Sequence, residues 1–237
     1  MRIKGATIFI SGANRGFGLA LAREALGRGA AKVYGGMRQP KDVGLPGLVP
    51  VQLDVTDEAS VKAAAAKAAD VDLLINNSGI ALLSPRLGDA GLIDGARQML
   101  EVNYFGLIRM SQAFAPVLAA NGGGAILNIL SVASWIARGG LSSYAATKSA
   151  AWSFTNALRV EMQAQGTKVA GLHVGFMDTD LTEGINAAKS DPATIAKLTL
   201  DALEAGQEEI LADDITKAVK QSISSAAPIY LNPPAMA

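Results

Sequence analysis

Short apolar runs alternate along the chain with longer segments in which apolar residues recur every three to four positions. The short runs are rich in β-branched and aliphatic residues, as in strands buried in a parallel sheet. They cover residues 6–10, 32–37, 51–55, 71–75, 125–130, 169–174 and 209–212. Helical periodicity predicts helices over 19–28, 57–69, 94–120, 143–165, 192–205 and 213–224. This alternation predicts an α/β fold with a doubly wound parallel sheet.

No linker or shift in composition divides the sequence, so residues 1–237 are predicted to form one domain. Segments rich in Gly and Pro predict loops over 39–50 and from the fourth strand to about residue 91. A substrate loop is expected at about 176–191, and a C-terminal arm at about 225–237.

The turn after the first predicted strand carries glycines at positions 12, 16 and 18, directly before a helix. Glycines in that context let the backbone approach a pyrophosphate, which then lies at the helix N-terminus. An ordinary tight turn between strand and helix is the alternative. The second strand ends in Met37-Arg38, where sites for NAD usually place an acidic residue. Together with Arg15 in the glycine turn, Arg38 suits a 2′-phosphate, unless both are merely surface arginines.

Tyr144 and Lys148 lie four residues apart at the start of a predicted helix, and therefore on one face. A nearby cation should lower the phenol pKa and make Tyr144 a proton donor to a carbonyl oxygen. A packed tyrosine and a solvated lysine are the alternative. Ser131 follows the fifth strand at the sheet edge where ligands bind in such folds. Asn103 lies within an apolar helix, where it could simply bond a preceding carbonyl.

The composition excludes several classes of function. Basic and acidic residues both number 21, so no positive field favours nucleic acid or an anionic membrane. The chain has no cysteine and a single histidine, His173, which argues against disulfides, thiol catalysis, a metal site and a Ser-His-Asp triad. His173 is expected in the core. With neither a signal peptide nor an apolar span in the sequence, a cytoplasmic location is expected.

Together these motifs resemble the short-chain dehydrogenase/reductase family. Ser11-Gly12-x-x-x-Gly16-x-Gly18 resembles the family's cofactor loop, and Asn76-Asn77-Ser78-Gly79 resembles its NNAG motif. The 13-residue interval between Ser131 and Tyr144 is also the family's usual one. The sequence departs from the family pattern at Ser11, Ser78, Leu130 and Val174; Val174 replaces a proline, which leaves the shape of the following loop open.

The resemblance implies a Rossmann-type fold of about seven strands and an NADP-dependent oxidoreductase of the carbonyl reductase type. It implies catalytic positions at Asn103, Ser131, Tyr144 and Lys148, with Lys148 also holding the nicotinamide ribose and Asn103 holding a relay water. It implies cofactor contacts at Gly12, Asn14, Arg15, Gly16, Phe17, Gly18, Arg38, Asp54, Val55, Asn77, Ser78, Gly79, Tyr144, Lys148, Gly175, Met177 and Thr179. NADP(H) is expected as the preferred cofactor and NAD(H) as a second one.

Apolar residues in loops at the carboxyl end of the sheet suggest a pocket for an apolar carbonyl or alcohol substrate. The candidate contacts are Ser131, Trp135, Leu141, Tyr144, Phe176 and Leu181. Trp135 either contacts substrate or packs in the core. Two other functions stay open, a ketoreductase for carrier-bound acyl chains and a non-catalytic NADP-binding regulator. The resemblance further implies a homodimer or homotetramer formed through the two long helices.

Overall fold

The computed structural model describes residues 1–82, 88 and 90–233. Within them the strands are β1 (Thr7–Ser11), β2 (Lys32–Met37), β3 (Leu48–Gln52), β4 (Leu73–Asn76), β5 (Ala125–Ile129), β6 (Lys168–His173) and β7 (Glu209–Leu211). They form one parallel sheet in the order β3-β2-β1-β4-β5-β6-β7. The strand order reverses between β1 and β4, the kind of switch point at which α/β proteins bind ligands. The predicted doubly wound sheet is confirmed.

Helices cover both faces of this sheet. They are α1 (Gly16–Gly27), α2 (Glu58–Lys67), α3 (Leu92–Leu100), α4 (Gly106–Ala120), α5 (Ser142–Glu161), α6 (Pro192–Glu204) and α7 (Asp214–Ser222). One face packs against α1 and α6, and the other packs against α2, α4 and α5.

Alternation along β1 shows why its sequence is apolar throughout. Ile8 and Ile10 enter the core on the side of α1 and α6, whereas Phe9 enters the core on the opposite side. All three side chains are completely buried. A strand with helices on both sides needs apolar residues at every position, so it reads as a continuous run rather than as alternating apolar and polar residues.

The third strand begins earlier than the sequence predicted. Residues 39–50 were expected to form a loop because of their prolines, and the strand was placed at 51–55. In the structure β3 pairs with β2 from Leu48 onward, with Pro50 opposite Gly35. Since β3 is the edge of the sheet, the missing N–H of Pro50 is tolerated. Asp54 and Val55 consequently follow the strand and lie in the turn before α2.

The helix predicted over 94–120 is interrupted. A π-helical segment, Glu101–Phe105, separates α3 from α4 and contains Asn103. Such wide turns within helices frequently occur at functional sites. Parts of two further predictions lie outside the described residues: positions 83–87 and 89 of the loop expected before residue 91, and positions 234–237 of the C-terminal arm.

Candidate active site

Glycines shape the turn between β1 and α1. Gly12 and Gly16 have φ angles of 73° and 54°, in the left-handed region that glycine adopts without steric cost. A Cβ atom on Gly18 would lie 2.2 Å from the Gly12 carbonyl oxygen, so a larger residue cannot fit there. Arg15 caps α1 without a side-chain hydrogen bond, which leaves the N–H groups of the first turn directed at the crevice. This cradle suits a pyrophosphate.

The same turn is tied to the end of β4. The Ser11 hydroxyl accepts hydrogen bonds from the N–H groups of Asn77 and Ser78, at 3.0 and 2.9 Å. The Asn77 amide donates to the carbonyls of Ser11 and Gly12, at 2.9 and 3.2 Å. Serine in place of the family's threonine therefore keeps the hydroxyl acceptor. The four bonds hold the two central strands together at the switch point.

The two arginines predicted to recognise a 2′-phosphate differ in their surroundings. Arg38 is exposed directly after β2. Its charge helps to lower the pKa of Asp54, although hydrogen bonds from the backbone and hydroxyl of Thr56 are the larger cause. Arg15 forms an ion pair with Asp180 of the loop after β6, and both side chains are more than half exposed. Asp180 therefore joins the cofactor turn to the predicted substrate loop, a contact that the sequence did not indicate.

Ser131 lies just beyond β5, where the sequence placed it. Its hydroxyl accepts a hydrogen bond from the Ala133 N–H at 3.1 Å and caps the short 3-10 turn Val132–Ser134. It also donates to the Val174 carbonyl at 3.3 Å. That distance is long for a hydroxyl donor, so the proton can turn towards another acceptor.

Tyr144 lies in the first turn of α5, with its hydroxyl in hydrogen-bonding reach of Ser131. Burial raises the pKa of Tyr144 to about 12, and the Ser131 hydrogen bond only partly opposes this rise. The expectation that Lys148 lowers the phenol pKa is therefore wrong, because desolvation dominates and raises this pKa. The consequence favours proton donation, since Tyr144 keeps its proton at neutral pH.

Lys148 is buried one turn further along α5. Its ammonium donates to the Ile129 carbonyl at 2.8 Å and lies 5.8 Å from the centre of the Tyr144 ring. Burial lowers the pKa of Lys148 to about 8. The group therefore gains and loses its proton close to physiological pH, unlike a lysine in solvent.

Asn103 lies buried in the π-helical segment and reaches across to the segment after β4 and to α5. Its Oδ1 accepts from the Ile80 N–H at 2.8 Å, and its Nδ2 donates to the Ile80 carbonyl at 2.9 Å. Nδ2 also donates to the Thr147 hydroxyl at 3.0 Å. The alternative in which Asn103 only bonds a preceding carbonyl of its own helix is thus wrong. Thr147, whose role the sequence did not suggest, donates to the Tyr144 main-chain carbonyl at 2.8 Å and so links the first turn of α5 to Asn103.

A small cavity of about 10 Å³ lies between this network and the glycine turn. That volume is of the order needed for one water molecule. Lys148 and Asn103 form part of its wall together with Val55 and Ser78, and the buried Oδ1 of Asn76 has no hydrogen-bond partner among the described residues. Gly79 keeps this region open, since a Cβ there would lie 3.4 Å from the Asn103 Oδ1.

The loop after β6 has a defined path despite the missing proline. The Gly175 N–H donates to the Asp213 carboxylate at 2.7 Å, and a Cβ at this glycine would lie only 3.0 Å from that oxygen. Further along, Met177 pairs with Ser190 in an isolated parallel bridge. A residue far along the chain, Asp213, therefore replaces the proline as the element that fixes this turn. The feature of the sequence that could have drawn attention to Asp213 is its position as the N-cap of α7.

The other residues predicted to contact cofactor or substrate lie at the carboxyl end of the sheet, and their side chains differ in solvent exposure. Thr179 approaches the glycine turn, because a Cβ on Gly16 would lie 3.5 Å from its methyl group. Leu141 is buried, Phe176 is half-buried and Leu181 is 46% exposed. Asn14 is half-buried in the cofactor turn, whereas Phe17 is part of the core.

Trp135 and His173 form a stacked pair beneath Ser131. His173 is 1% exposed, which confirms the expectation that it is a core residue. The indole of Trp135 also contacts Trp152 edge to face. Packing thus accounts for much of the Trp135 ring, and its contact with substrate stays a prediction.

Two kinds of feature are absent from the described residues, a cluster of metal-binding side chains and a membrane-spanning helix. No group of three or more His, Cys, Asp or Glu side chains in residues 1–82, 88 and 90–233 could hold a metal ion. In the same part of the chain, none of the helices combines the length and the hydropathy needed to cross a membrane.

Comparison with known proteins agrees with this geometry. Residues 6–190 match the family model of the short chain dehydrogenases. A galactitol 2-dehydrogenase (L-tagatose-forming) from Cereibacter sphaeroides is 34% identical over 194 residues, covering 76% of this chain and 75% of that protein. An NADP-dependent 3-hydroxy acid dehydrogenase from Schizosaccharomyces pombe is 30% identical over 241 residues, covering 90% and 93%.

A solved structure is similar over nearly the whole chain. A short chain dehydrogenase from Burkholderia cenocepacia, crystallised in complex with NADP, superposes with a TM-score of 0.90 and 36% identity, and 95% of each chain is covered. The fold, the glycine turn and the arrangement of Ser131, Tyr144 and Lys148 therefore have one explanation. The chain belongs to the short-chain dehydrogenase family of oxidoreductases, whose shared chemistry is hydride transfer.

Proposed function

We propose that this protein is an NADPH-dependent carbonyl reductase that converts ketones or aldehydes to alcohols and can run in reverse. The observation that carries the proposal is the meeting of Ser131, Tyr144 and Lys148 at the carboxyl edge of the sheet, beside a phosphate-binding turn. Asn103 belongs to the same network through Thr147.

The residues present fit a nicotinamide dinucleotide. The open N-terminus of α1 and the glycines that precede it would hold the pyrophosphate, and Arg15 and Arg38 would pair with a 2′-phosphate. Lys148 would hold the nicotinamide ribose. Adenine would lie near Asp54 and Val55, and the nicotinamide would lie near Met177 and Thr179. The bound cofactor would supply the hydride, and the protein supplies orientation, electrostatics and a proton.

Each side chain of the site has a separate task in carbonyl reduction. Tyr144, which keeps its phenolic proton, would donate it to the carbonyl oxygen as negative charge develops there. Ser131 would turn its hydroxyl from Val174 to the same oxygen, an interaction worth roughly 3–4 kcal/mol in comparable sites. Lys148 would stabilise the phenolate that remains. Asn103 would keep α4 and α5 in register around these groups.

Support for NADP over NAD comes from charge. The residue that follows β2 is Arg38, whereas an acidic side chain at this position would repel a 2′-phosphate. The positive charge of Arg38 also helps to lower the pKa of Asp54, a residue of the predicted adenine site. The similar proteins include an NADP-dependent 3-hydroxy acid dehydrogenase and a short chain dehydrogenase crystallised with NADP, which supports the same preference. The cost of freeing Arg15 from Asp180 is small, because ion pairs this exposed contribute little.

The substrate is proposed to be an apolar carbonyl compound in contact with Leu141, Phe176 and Leu181. A panel of ketones and aldehydes, graded in chain length and aromatic content, should be assayed by the loss of NADPH absorbance, with NADH in parallel. We expect turnover with NADPH. Tyr144→Phe should keep NADPH affinity and lose roughly 10²–10⁴-fold in kcat. Near-normal turnover in this variant, or binding of NADPH without reduction of any carbonyl, would contradict the proposal.

A further inference from the structure

His173 lies directly beneath the active site, although none of the proposed steps uses it. It ends β6, is 1% exposed, and is the only histidine of the sequence. Its Nδ1 lies 3.1 Å from the main-chain carbonyl oxygen of Ser131. Because a carbonyl oxygen can only accept, Nδ1 must carry the proton and donate it.

That hydrogen bond completes the attachment of Ser131 to β6. On either side of the serine, the N–H groups of Leu130 and Val132 donate to the carbonyls of Leu172 and Val174, at 2.8 and 2.9 Å. The bond from His173 adds a contact to the carbonyl of Ser131 itself. Three hydrogen bonds to residues 172–174, at the end of β6 and directly after it, thus hold the backbone that carries the reacting hydroxyl.

The orientation of the imidazole is fixed by Trp135. The two rings are stacked with their centres 3.9 Å apart and an interplanar angle of 18°. Trp135 directly follows the 3-10 turn that the Ser131 hydroxyl caps, so the serine and the indole belong to one short segment. Trp152 of α5 closes the cluster, with its ring edge-to-face against Trp135 at 6.1 Å.

The C-terminal part of the chain completes this packing. The ammonium of Lys220, on α7, lies 5.0 Å from the centre of the Trp135 ring and 5.7 Å from that of Trp152. It is held there by Glu209 of β7 at 2.7 Å. Strand β7 also pairs with His173 itself through Leu211, and directly after this strand the Ala212 N–H donates to the His173 carbonyl at 3.0 Å.

We propose that His173 is a positioning residue that holds the Ser131 backbone through its Nδ1–H, with Trp135 fixing the plane of the imidazole. The inference rests on the proposed reductase function, in which Ser131 must present its hydroxyl to the carbonyl oxygen. It also gives Trp135 a role that does not require contact with substrate.

The charges around the ring are consistent with a permanent donor. Burial, the largest influence, lowers the pKa of His173 to about 4, so the imidazole is neutral at physiological pH. The Ser131 carbonyl and Glu209 act in the opposite direction, whereas Lys220 and Lys148 lower the pKa further. A neutral ring has a single N–H, and Ser131 determines which nitrogen carries it.

A pair of substitutions separates the donor from the ring. In His173→Asn the side-chain amide can donate from nearly the position of Nδ1, but the stacked ring is lost. In His173→Phe the ring is kept and the donor is lost. We expect His173→Phe to lower kcat about tenfold or more while the dissociation constant for NADPH stays unchanged, and His173→Asn to recover most of kcat. Melting temperatures measured in parallel show whether each variant is folded.

A purely structural role predicts a different result. The two variants would then lose activity in proportion to their loss of melting temperature, or His173→Phe would turn over as fast as the wild type. Either result overturns the proposal.

A second measurement does not depend on activity. Because the chain has one histidine, nitrogen-15 NMR of the imidazole reports on His173 alone. We expect the Nδ1–H tautomer, unchanged from pH 8 to pH 5, and loss of its fixed environment in Trp135→Leu. An Nε2–H tautomer or titration near pH 6.5 would overturn the positioning role. If the wild type reduces no carbonyl while the NMR result holds, the proposed function fails separately from the His173–Ser131 bond.

Discussion

The two halves of the candidate site are built from different materials. The cofactor half, at the ends of β1, β2 and β4, consists of glycines, main-chain N–H groups and exposed arginines. The catalytic half, between β5, β6 and α5, consists of the buried polar side chains of Ser131, Asn103 and Lys148 and the half-buried side chain of Tyr144. The first half controls how closely a ligand can approach. The second controls where protons reside, because burial shifts the pKa of its groups.

The comparison teaches that the two halves should fail in different ways. Steric or charge changes in the cofactor half should alter binding and leave proton chemistry intact. Changes in the catalytic half should alter turnover, pH dependence or stability and leave cofactor affinity nearly intact. Four experiments test this separation, in addition to the Tyr144→Phe comparison above.

The largest effect is expected from Gly18→Ala. Its Cβ would lie 2.2 Å from the Gly12 carbonyl oxygen and would push the turn away from α1. We expect NADPH affinity to fall roughly 100-fold or more, since the phosphate cradle depends on that close approach. Titration calorimetry measures it. Gly27→Ala is the matched control, because a Cβ at that end of the same helix meets nothing within 4 Å. Equal affinities for NADPH in the two variants would show that the turn tolerates a side chain.

Arg38→Asp should reverse the charge that follows β2. We expect kcat/KM with NADPH to fall roughly 10–100-fold more than kcat/KM with NADH, because a charge-assisted contact to the 2′-phosphate is replaced by repulsion. Lys41→Asp makes the same change of charge at an exposed position in the adjacent loop and serves as the control. Equal losses with both cofactors would refute the role of Arg38.

Deprotonation of Lys148 should make kcat/KM for the reduction fall at alkaline pH, which appears as a descending limb in the pH profile. The burial of Lys148 lowers its pKa to about 8, so the ammonium that stabilises the phenolate disappears as the pH rises above this value. We expect kcat/KM, which reports groups of the free enzyme, to fall about tenfold per pH unit beyond that point. In Lys148→Arg the cation persists, and any remaining activity should lack this limb. A limb near pH 8 in that variant would assign the titration to another group.

The smallest effect concerns stability. His173 has a folded-state pKa of about 4, below its ordinary value of 6.5. Folding therefore favours the neutral ring, and this contribution is complete above pH 6.5 and is lost as the pH falls towards 4. Between pH 7 and pH 5 the wild type should lose about 2 kcal/mol of unfolding free energy through this group. Urea denaturation of His173→Asn, in which the carboxylates titrate unchanged, should lack that loss. Parallel pH dependence in both proteins would contradict the buried neutral state.

The sequence alone predicted different features of the two halves. Gly12, Gly16 and Gly18 lie close together in the chain, between a predicted strand and a predicted helix, so their local spacing is enough to predict a phosphate-binding turn. The helical spacing of Tyr144 and Lys148 placed them on one face for the same reason. Both are properties of short segments, which the sequence encodes directly. The beginning of β3 was missed because Pro50 is tolerated only at an edge strand, and edge position is a property of the whole sheet.

Contacts between distant segments depended on the tertiary structure. Neither the bonds from Asn103 to Ile80 and Thr147 nor the bond from Gly175 to Asp213 has a local signature. The pKa of Tyr144 was predicted in the wrong direction, because the sequence shows the neighbouring lysine but not the loss of water around the phenol. Desolvation is set by every segment that packs against a group, and no single segment reveals it.

By itself, then, the sequence determined the alternation of strands and helices, the glycine turn and the shared helix face of Tyr144 and Lys148. These follow from periodicity and from residue chemistry within short stretches. Only the tertiary structure decided that burial raises the pKa of Tyr144, that burial lowers the pKa of Lys148 to about 8, and that His173 and Trp135 lie beneath Ser131. Each of these depends on which atoms exclude water from a group, and that is fixed when α5, β6 and the C-terminal strand and helix pack together.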